Sequence, residues 1–591
     1  MPRIPYLDLG GGLNQGKPAS GIADKEQVDI ENFYPFSTKL IRRGGHRKLN
    51  TTAAYAERLT GIFPYRPEGS DAVTTIVGGL TTIAKLEGTE IEAIPAAVDF
   101  SIGSSTEPWV MFEYKDIMYA FRKSSNQLIR CDGTYYGAAG LVAPATACTI
   151  AEGAAGNIPA ADFFGVYTFY NSATNVESNP STASAKLTHG GTKKIDWTGI
   201  AVSTNPQVDA RRLYRTLPNN TGEYYFVDQI GNNFDTTYTG DDVLVQDMGR
   251  SVSFFNGVPP TGLLFGSVWK ERLFCSDGAL VYYSEDGLIE CFDEDNFIPV
   301  FPDDGHEIRA IHAYGDRLVI GKTNKVHYLV GTDPAYFALL TLSDRHGCAS
   351  HHSMQSAEGL LFWLGLDNVY RSDGNAVVGI ASEKLEEILK TATAAQLSTS
   401  FAAVYPALNW YCLTIPGVAE LTYNYKTNAW VKMSTLAGIS FMAEHFDDDY
   451  LKQLYTTDTS GNVYLFNDPT YNYDDDDTTI GNAITAYFIT KDMGDKTGEA
   501  SVAVMYRVHL LAEQYAENIT LAWQRSDGTE INSRTVSLDY DEPWKTYSLS
   551  TRRQAKAHTR LKVTYTGAAQ IELQGFAVDT DSIQRMATRP H

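Results

Sequence analysis

The sequence predicts an all-β protein: a β-propeller of six or seven blades, with an inserted fibronectin-III-like β-sandwich and a C-terminal β-sandwich. Three observations predict it. Tyr (35), Phe (26) and Gly (49) are abundant; aromatics suit a pleated surface and glycine serves tight turns. Short apolar-aromatic runs are punctuated by Gly, Asp and Asn at strand-like spacing. One such unit recurs along much of the 591 residues, a length beyond the roughly 250–300 residues at which a single core stops growing.

The unit is a buried strand, a tight turn and a second strand. It is plainest in Leu361-Phe362-Trp363-Leu364-Gly365-Leu366-Asp367-Asn368-Val369-Tyr370, which ends on Ser372-Asp373-Gly374. Copies run through Met118-Tyr119-Ala120-Phe121, Arg272-Leu273-Phe274-Cys275, Arg317-Leu318-Val319-Ile320 and Gly461-Asn462-Val463-Tyr464. Blades are expected at 58–98, 107–140, 263–302, 306–343, 347–380, 397–437 and 439–468. Their spacing is irregular but often near the roughly 40–50 residues of a propeller blade. The count is six or seven according to how the termini close the ring. One four-stranded blade cannot cover both its faces, whereas radial stacking covers them and leaves short edges.

The remaining segments divide the chain. Residues 1–57 read as an extended arm and assembly segment, and 58–144 as the first blades. The repeat breaks at 145–258, where longer alternating strands such as Phe164-Gly165-Val166-Tyr167-Thr168-Phe169-Tyr170 suit a fibronectin-III-like sandwich. Blades resume at 259–470. Within them 381–398 carries a helical pattern, with Ser382 as cap, Glu383 in the first turn and Leu385, Ile388 and Leu389 as an apolar stripe. Residues 471–482, with Asp474 to Asp477, read as an acidic linker, and 483–591 as the second sandwich.

Charge and chemistry narrow the function. A net charge of −23 opposes gripping nucleic acid through its phosphates, but not letting it slide past. Cys131, Cys148, Cys275, Cys291, Cys348 and Cys412 form no CxxC pair, which fits synthesis in a reducing cytoplasm. Met1-Pro2-Arg3-Ile4-Pro5 lacks the apolar run of a signal peptide, and no membrane-spanning stretch occurs. Nucleotide-binding, zinc-protease, serine-hydrolase and EF-hand motifs are absent from the sequence. Gly10-Gly11-Gly12-Leu13-Asn14-Gln15-Gly16 misses the dinucleotide spacing and reads as a loop. His346, His351 and His352 read as packing or a subunit contact rather than a metal site, because neighbours on a strand face opposite ways. Asp303-Asp304 and Asp241-Asp242 read as turn residues. No enzyme, metal or cofactor is expected. Arg42, Arg43, Arg47 and Lys48, the densest basic run, read as an assembly contact with an acidic neighbour, the alternative being a solvated turn.

Two stretches carry a family resemblance. The first holds Leu13-Asn14, the run from Ile22 through Asp29-Ile30-Glu31-Asn32-Phe33-Tyr34-Pro35, and Leu40-Ile41-Arg42-Arg43-Gly44-Gly45. The second spans Val258-Pro259-Pro260 to Asp373-Gly374, through Tyr283-Ser284-Glu285-Asp286-Gly287 and Ser343-Asp344-Arg345-His346-Gly347-Cys348. Both are similar to the packaged-DNA stabilisation and tail-nozzle proteins of short-tailed bacteriophages. The resemblance implies a virion tail protein made in the host cytoplasm. It implies a homohexameric ring below the portal and adaptor, with tail fibres or spikes outside and double-stranded DNA passing through without tight binding. Two rivals stand beside it. A propeller-fold carbohydrate-binding or carbohydrate-hydrolysing protein would need convergent carboxylates. A receptor-binding tail protein would show β-helix or coiled-coil repeats, which the sequence lacks.

Overall fold

The computed structural model describes residues 3–583 apart from 68, 71, 98–99, 126, 382–383, 435–437, 448, 450, 469–472, 475–481, 494–501 and 552–558. The protein is all-β, built of many small antiparallel sheets. Among the described residues are seven four-stranded meanders, at 61–93, 110–138, 265–299, 308–343, 355–379, 401–432 and 439–468. Six use four consecutive strands. The seventh takes its fourth strand from the other end of the chain: Gly45–Lys48 pairs with Val463–Asp468, setting Lys48 opposite Tyr464 and Arg47 opposite Leu465.

Local chemistry sets the turns. Asp132, Asp277, Asp373 and Asp458 each follow or end a strand, and one carboxylate oxygen accepts two backbone N–H groups from the residues two to four ahead. Asn424 does the same for Lys426 and Thr427. These side chains replace bonds a tight reversal would otherwise leave unmade.

The first strands meet in cyclic order. Gly61–Tyr65 packs on Val110–Tyr114, that on Phe265–Trp269, and that on Ile308–Tyr314. The turn His351–Ser353 bridges Ile308–Tyr314 and Phe401–Tyr405; the latter also touches Gln355–Ala357 and Ile439–Phe446, and Ile439–Phe446 returns to Gly61–Tyr65. Apolar layers fill the gaps between consecutive meanders. Trp109 lies with Ile76, Ile83 and Met118; Phe121 with Leu273 and Cys275; Phe274 with Ile311 and Leu318; Val319 with Leu361 and Trp363. Phe362 stacks on Tyr411 at 5.2 Å, and Phe401 meets Phe441 at 5.6 Å. A strand buried on both faces cannot alternate cleanly, which is why these runs read as near-continuous apolar segments. The buried indoles of Trp109, Trp363 and Trp430 donate to the carbonyls of Gly79, Gly347 and Ile380, as buried Trp N–H groups require. Gly78 lies so close to Trp109 that a Cβ there would come within 2.3 Å of the ring.

Residues 149–241 form a separate two-layer unit. One layer is Thr149–Ile158, Lys193–Thr198 and Tyr238–Asp241, and the other is Gly165–Tyr170, Ala210–Thr216 and Tyr224–Ile230. Tyr167, Ile195, Trp197 and Leu213 fill the space between them. The entry and exit of the unit meet, since Gly140 abuts Pro259. Gln207 fastens its base to the second meander, accepting from Arg130 at 2.9 Å and donating to the Ala138 carbonyl at 2.5 Å.

The helical stretch is two short pieces, Glu386–Thr391 and Ala394–Ser398, the second opened by a Thr393–Gln396 capping box. Leu385 and Leu389 are buried as expected of the apolar stripe, whereas Ser382 and Glu383 lie outside the described residues.

The N-terminal segment is no extended arm. Phe33–Phe36 and Lys39–Arg42 join Glu572–Ile583, Val502–Ala512 and Trp544–Ser548 in one sheet, with Arg3–Tyr6 also on Glu572–Ile583. Glu26–Glu31 joins Thr485–Thr490, Thr559–Thr566, Asn518–Arg525 and Glu530–Ser537 in the facing sheet. Its Glu31 also pairs in parallel with Lys432 of the sixth meander, so a single sheet runs from meander to sandwich. The reason is the apolar face of each strand: Ile30, Phe33 and Leu40 are fully buried against Phe488, Phe576 and their neighbours.

Two predictions follow from this architecture. Asp474→Asn removes the carboxylate that holds buried Arg43, and should lower unfolding free energy by about 3–5 kcal/mol, read by urea denaturation with an unchanged m-value. Replacing 150–255 by a short Gly-Ser bridge should leave a soluble, cooperatively melting remainder, because the two ends of the insert already touch. An unfolded product by circular dichroism would place the insert within the core of the remaining fold.

Candidate functional site

The basic run is split between two environments. Arg42 and Arg43 are 0% exposed, which corrects the expectation that these two side chains face an assembly partner. Arg42 ends a sandwich strand and lies 5.9 Å from the Tyr565 ring centre. Arg43 sits where the chain leaves the sandwich for the seventh meander. Its Nε donates to Asn32 Oδ1 at 2.8 Å, Nη1 to Asp474 Oδ1 at 2.7 Å and to the Gly44 carbonyl at 2.9 Å, and Nη2 to the Ser434 carbonyl at 2.6 Å and to Asp474 Oδ2. Asp474 therefore belongs to a buried polar knot rather than to a free linker, while Asp475 to Asp477 lie outside the described residues. His46 shares the knot, its Nδ1 2.9 Å from Asp474 Oδ1. Burial pushes the Asp474 carboxyl up, but His46 and Arg43 outweigh it and hold it well below the usual carboxylate range. Burial pushes the His46 imidazole down, against the pull of Asp474. Arg47 faces outward with a side chain 48% exposed and pairs with Asp468 at 2.9 Å; Lys48 is half-buried on the same closing strand.

The histidines regroup. His346 leaves the predicted cluster and packs on Tyr370 at 4.6 Å. His351 and His352, with ring centres 5.1 Å apart, lie where strands of several meanders converge. His351 packs on Phe265 of the third meander and its Nδ1 accepts from the Ile311 N–H of the fourth. His352 packs on Phe441 of the seventh and bonds the Pro108 carbonyl just before the second. His312, which sequence reasoning did not single out, joins them, its Nε2 3.1 Å from Ser356 Oγ. Burial pushes His312 and His352 down to about 4 and His351 further. Among the described residues no three His, Cys, Asp or Glu side chains gather as metal ligands.

The other chemistry-bearing groups are engaged in structure. All six cysteines are buried and unpaired; burial pushes Cys131, Cys148, Cys291, Cys348 and Cys412 up to about 12, so they stay protonated. Asp304 accepts from Lys322 Nζ at 2.6 Å and from the His306 N–H. Asp241 accepts from Arg215 Nε at 2.9 Å and from the Trp197 indole, and Asp242 holds Asn157. The two acidic pairs lie on different units. An open cleft of about 380 Å³ lies at the root of the insert, between Leu141–Ala143, the 256–260 segment and Phe292 with its following acidic turn.

No family model matches the chain, and no curated protein matches it. Among solved structures it is similar to the Raptor protein of Chaetomium thermophilum, at 8% identity and a TM-score of 0.31, over 72% of this chain and 29% of that one. The chain thus spans less than a third of that protein's length.

Buried neutral histidines link stability to acidity. A group whose folded pKa is depressed below the unfolded 6.5 keeps its full contribution above that value and loses it as pH falls toward the folded one. His445 is buried, stacked on Tyr455 at 3.9 Å, and pushed down to about 4. It alone should cost about 2 kcal/mol by pH 5. Urea unfolding at pH 7.5 and pH 5 should show a lower midpoint at pH 5, and His445→Gln should narrow the difference.

Proposed function

We propose that the chain is a structural subunit of a short-tailed bacteriophage tail: a nozzle protein forming a ring below portal and adaptor, retaining packaged DNA, conducting it during ejection and supporting fibres or spikes. The resemblance of the two stretches within 13–45 and 258–374 carries this reading. In the fold the first is the segment that ties the sandwich to the sixth and seventh meanders, and the second is the third to fifth meanders.

On this reading the seven meanders are blades of a seven-bladed β-propeller, closed by a strand from the opposite end of the chain. The cyclic contacts of the first strands and the antiparallel four-strand order support it. The insert is then a fibronectin-III-like module and the shared N- and C-terminal sheets a second sandwich. A structural role is supported by how the reactive side chains are used: thiols buried, acidic pairs bound into turns and ion pairs. His351, His352, Phe265 and Phe441 occupy the meeting point of the blades, so a duplex would run between subunits, not through one. A closed ring needs two different complementary faces on each subunit.

The isolated chain should be mainly monomeric by light scattering at low micromolar concentration, and should enter six-fold rings, seen by electron microscopy, when the adaptor ring is supplied. It should bind duplex DNA weakly at physiological salt by fluorescence anisotropy. Trimers, or tight DNA binding with a steep salt dependence, would overturn the nozzle reading.

A further inference from the structure

The cleft at the root of the insert joins a preformed shape to exposed apolar and acidic side chains. Its walls come from Leu141–Ala143 leaving the second meander, Asn179 of the insert, Asn256 to Pro260 returning from the insert, and Tyr282 with Phe292–Glu294 of the third meander. These segments are tied together. Gly140 N–H donates to Glu290 Oε2 at 2.6 Å, Asn256 N–H to Asn179 Oδ1 at 2.8 Å, and Phe292 N–H to the Gly257 carbonyl at 2.8 Å. The cleft is therefore a preformed shape rather than a gap between loose loops.

Its exposed surface is mostly apolar. Leu141 and Phe292 are buried beneath, but Val142 is 71% and Val258 44% exposed. The two residues before Asn256, Phe254 and Phe255, are 53% and 59% exposed. Single exposed apolar residues are ordinary, whereas contiguous exposed apolar surface is what partner proteins cover. The volume is at the lower end of the roughly 300–1,000 Å³ of ligand-sized cavities. It suits an anchoring side chain better than a large cofactor.

Charge selects the occupant. Asp293 and Glu294 stand at one side, and no Lys, Arg or His lines the cleft. A second copy of a chain with net charge −23 would bring mostly like charge to this rim, which costs affinity and association rate. We propose that the cleft docks a segment of a partner protein that presents an apolar side chain flanked by lysine or arginine. The apolar side chain fills the space between Val142, Val258 and Phe292, and the flanking cation meets Asp293 and Glu294. The proposal uses the cleft alone and does not depend on the virion reading.

The test uses the full chain and a random twelve-residue peptide library displayed on yeast. Enriched peptides, resynthesised and measured by fluorescence anisotropy, should share an apolar residue next to Lys or Arg. Val258→Asp, and separately Asp293→Asn with Glu294→Gln, should each weaken them at least about ten-fold. The carboxylate variant should also lose most of the salt dependence of binding. All these side chains are exposed or half-buried, and an unchanged melting temperature confirms that each variant folds. Failure to enrich any peptide, enrichment of neutral or acidic sequences, or binding indifferent to both variants would overturn the proposal.

Discussion

The fold depends on completing the seventh meander with a strand from the far end of the chain, and that join turns on one buried guanidinium. Arg43 has five N–H donors in a fixed fork, and the surroundings take up the whole fork: the Asn32 amide, the Gly44 and Ser434 carbonyls, and both oxygens of Asp474. Each acceptor lies on a different stretch of chain. Asn32 links the two sandwich sheets, with φ at 59°, a left-handed conformation that asparagine tolerates better than most residues. Its Nδ2 donates to Ser434 Oγ and to the Thr485 carbonyl. One charged group thereby fixes the N-terminus, the end of the sixth meander, the start of the C-terminal strands and the chain leaving the seventh meander. A lysine could not replace it, since three donors on a flexible stem cannot address acceptors spread around a plane.

Burying that charge is expensive, and a well-packed apolar substitute is often as stable. What the ionic version adds is specificity. An apolar plug would tolerate sliding of Gly45–Lys48 along Val463–Asp468, and a one-residue slip turns every side chain of a strand to the opposite face. The bidentate contact to Asp474 permits one register. Because Glu26–Glu31 also extends the sheet of the sixth meander into the sandwich, the sandwich and meanders share backbone hydrogen bonds as well as an apolar core. Loosening either end of the chain exposes both.

The sequence showed the repeat clearly, but not which strand completes the seventh meander. The meanders were legible because their signals are local: an apolar run, an Asp or Asn whose side chain caps the reversal, then a second apolar run, as at Asp277-Gly278 and Asp373-Gly374. The break in the repeat after the second meander was legible because the strands there lengthen and alternate. The roles of Arg42 and Arg43 were not, since a cluster of cations ordinarily faces water and the acceptor that buries Arg43 lies more than four hundred residues away. Nothing near Gly45–Lys48 announces that it completes a sheet with Val463–Asp468. The histidine group was half legible. His351 and His352 adjoin in sequence, but His312 reaches them only through the ring, and the proximity of His346 in sequence misled.

Arg43 is not the only arginine taken inside. Arg42, Arg43, Arg122, Arg211 and Arg215 are almost wholly removed from solvent. Arg122 donates to the carbonyls of Gly79, Leu80, Gly103 and Ser105 and lies 4.2 Å from the Trp109 ring centre, and Arg211 donates to those of Ala201 and Asp235. These two cations are held by peptide carbonyls, with Glu107 and Glu57 adding attraction at Arg122 and Asp235 at Arg211. On the nozzle reading, a phosphate backbone near a chain of net charge −23 would be repelled over about one Debye length, roughly 8 Å at physiological salt. Placed inside, arginine serves the fold: its planar donors hold loops together.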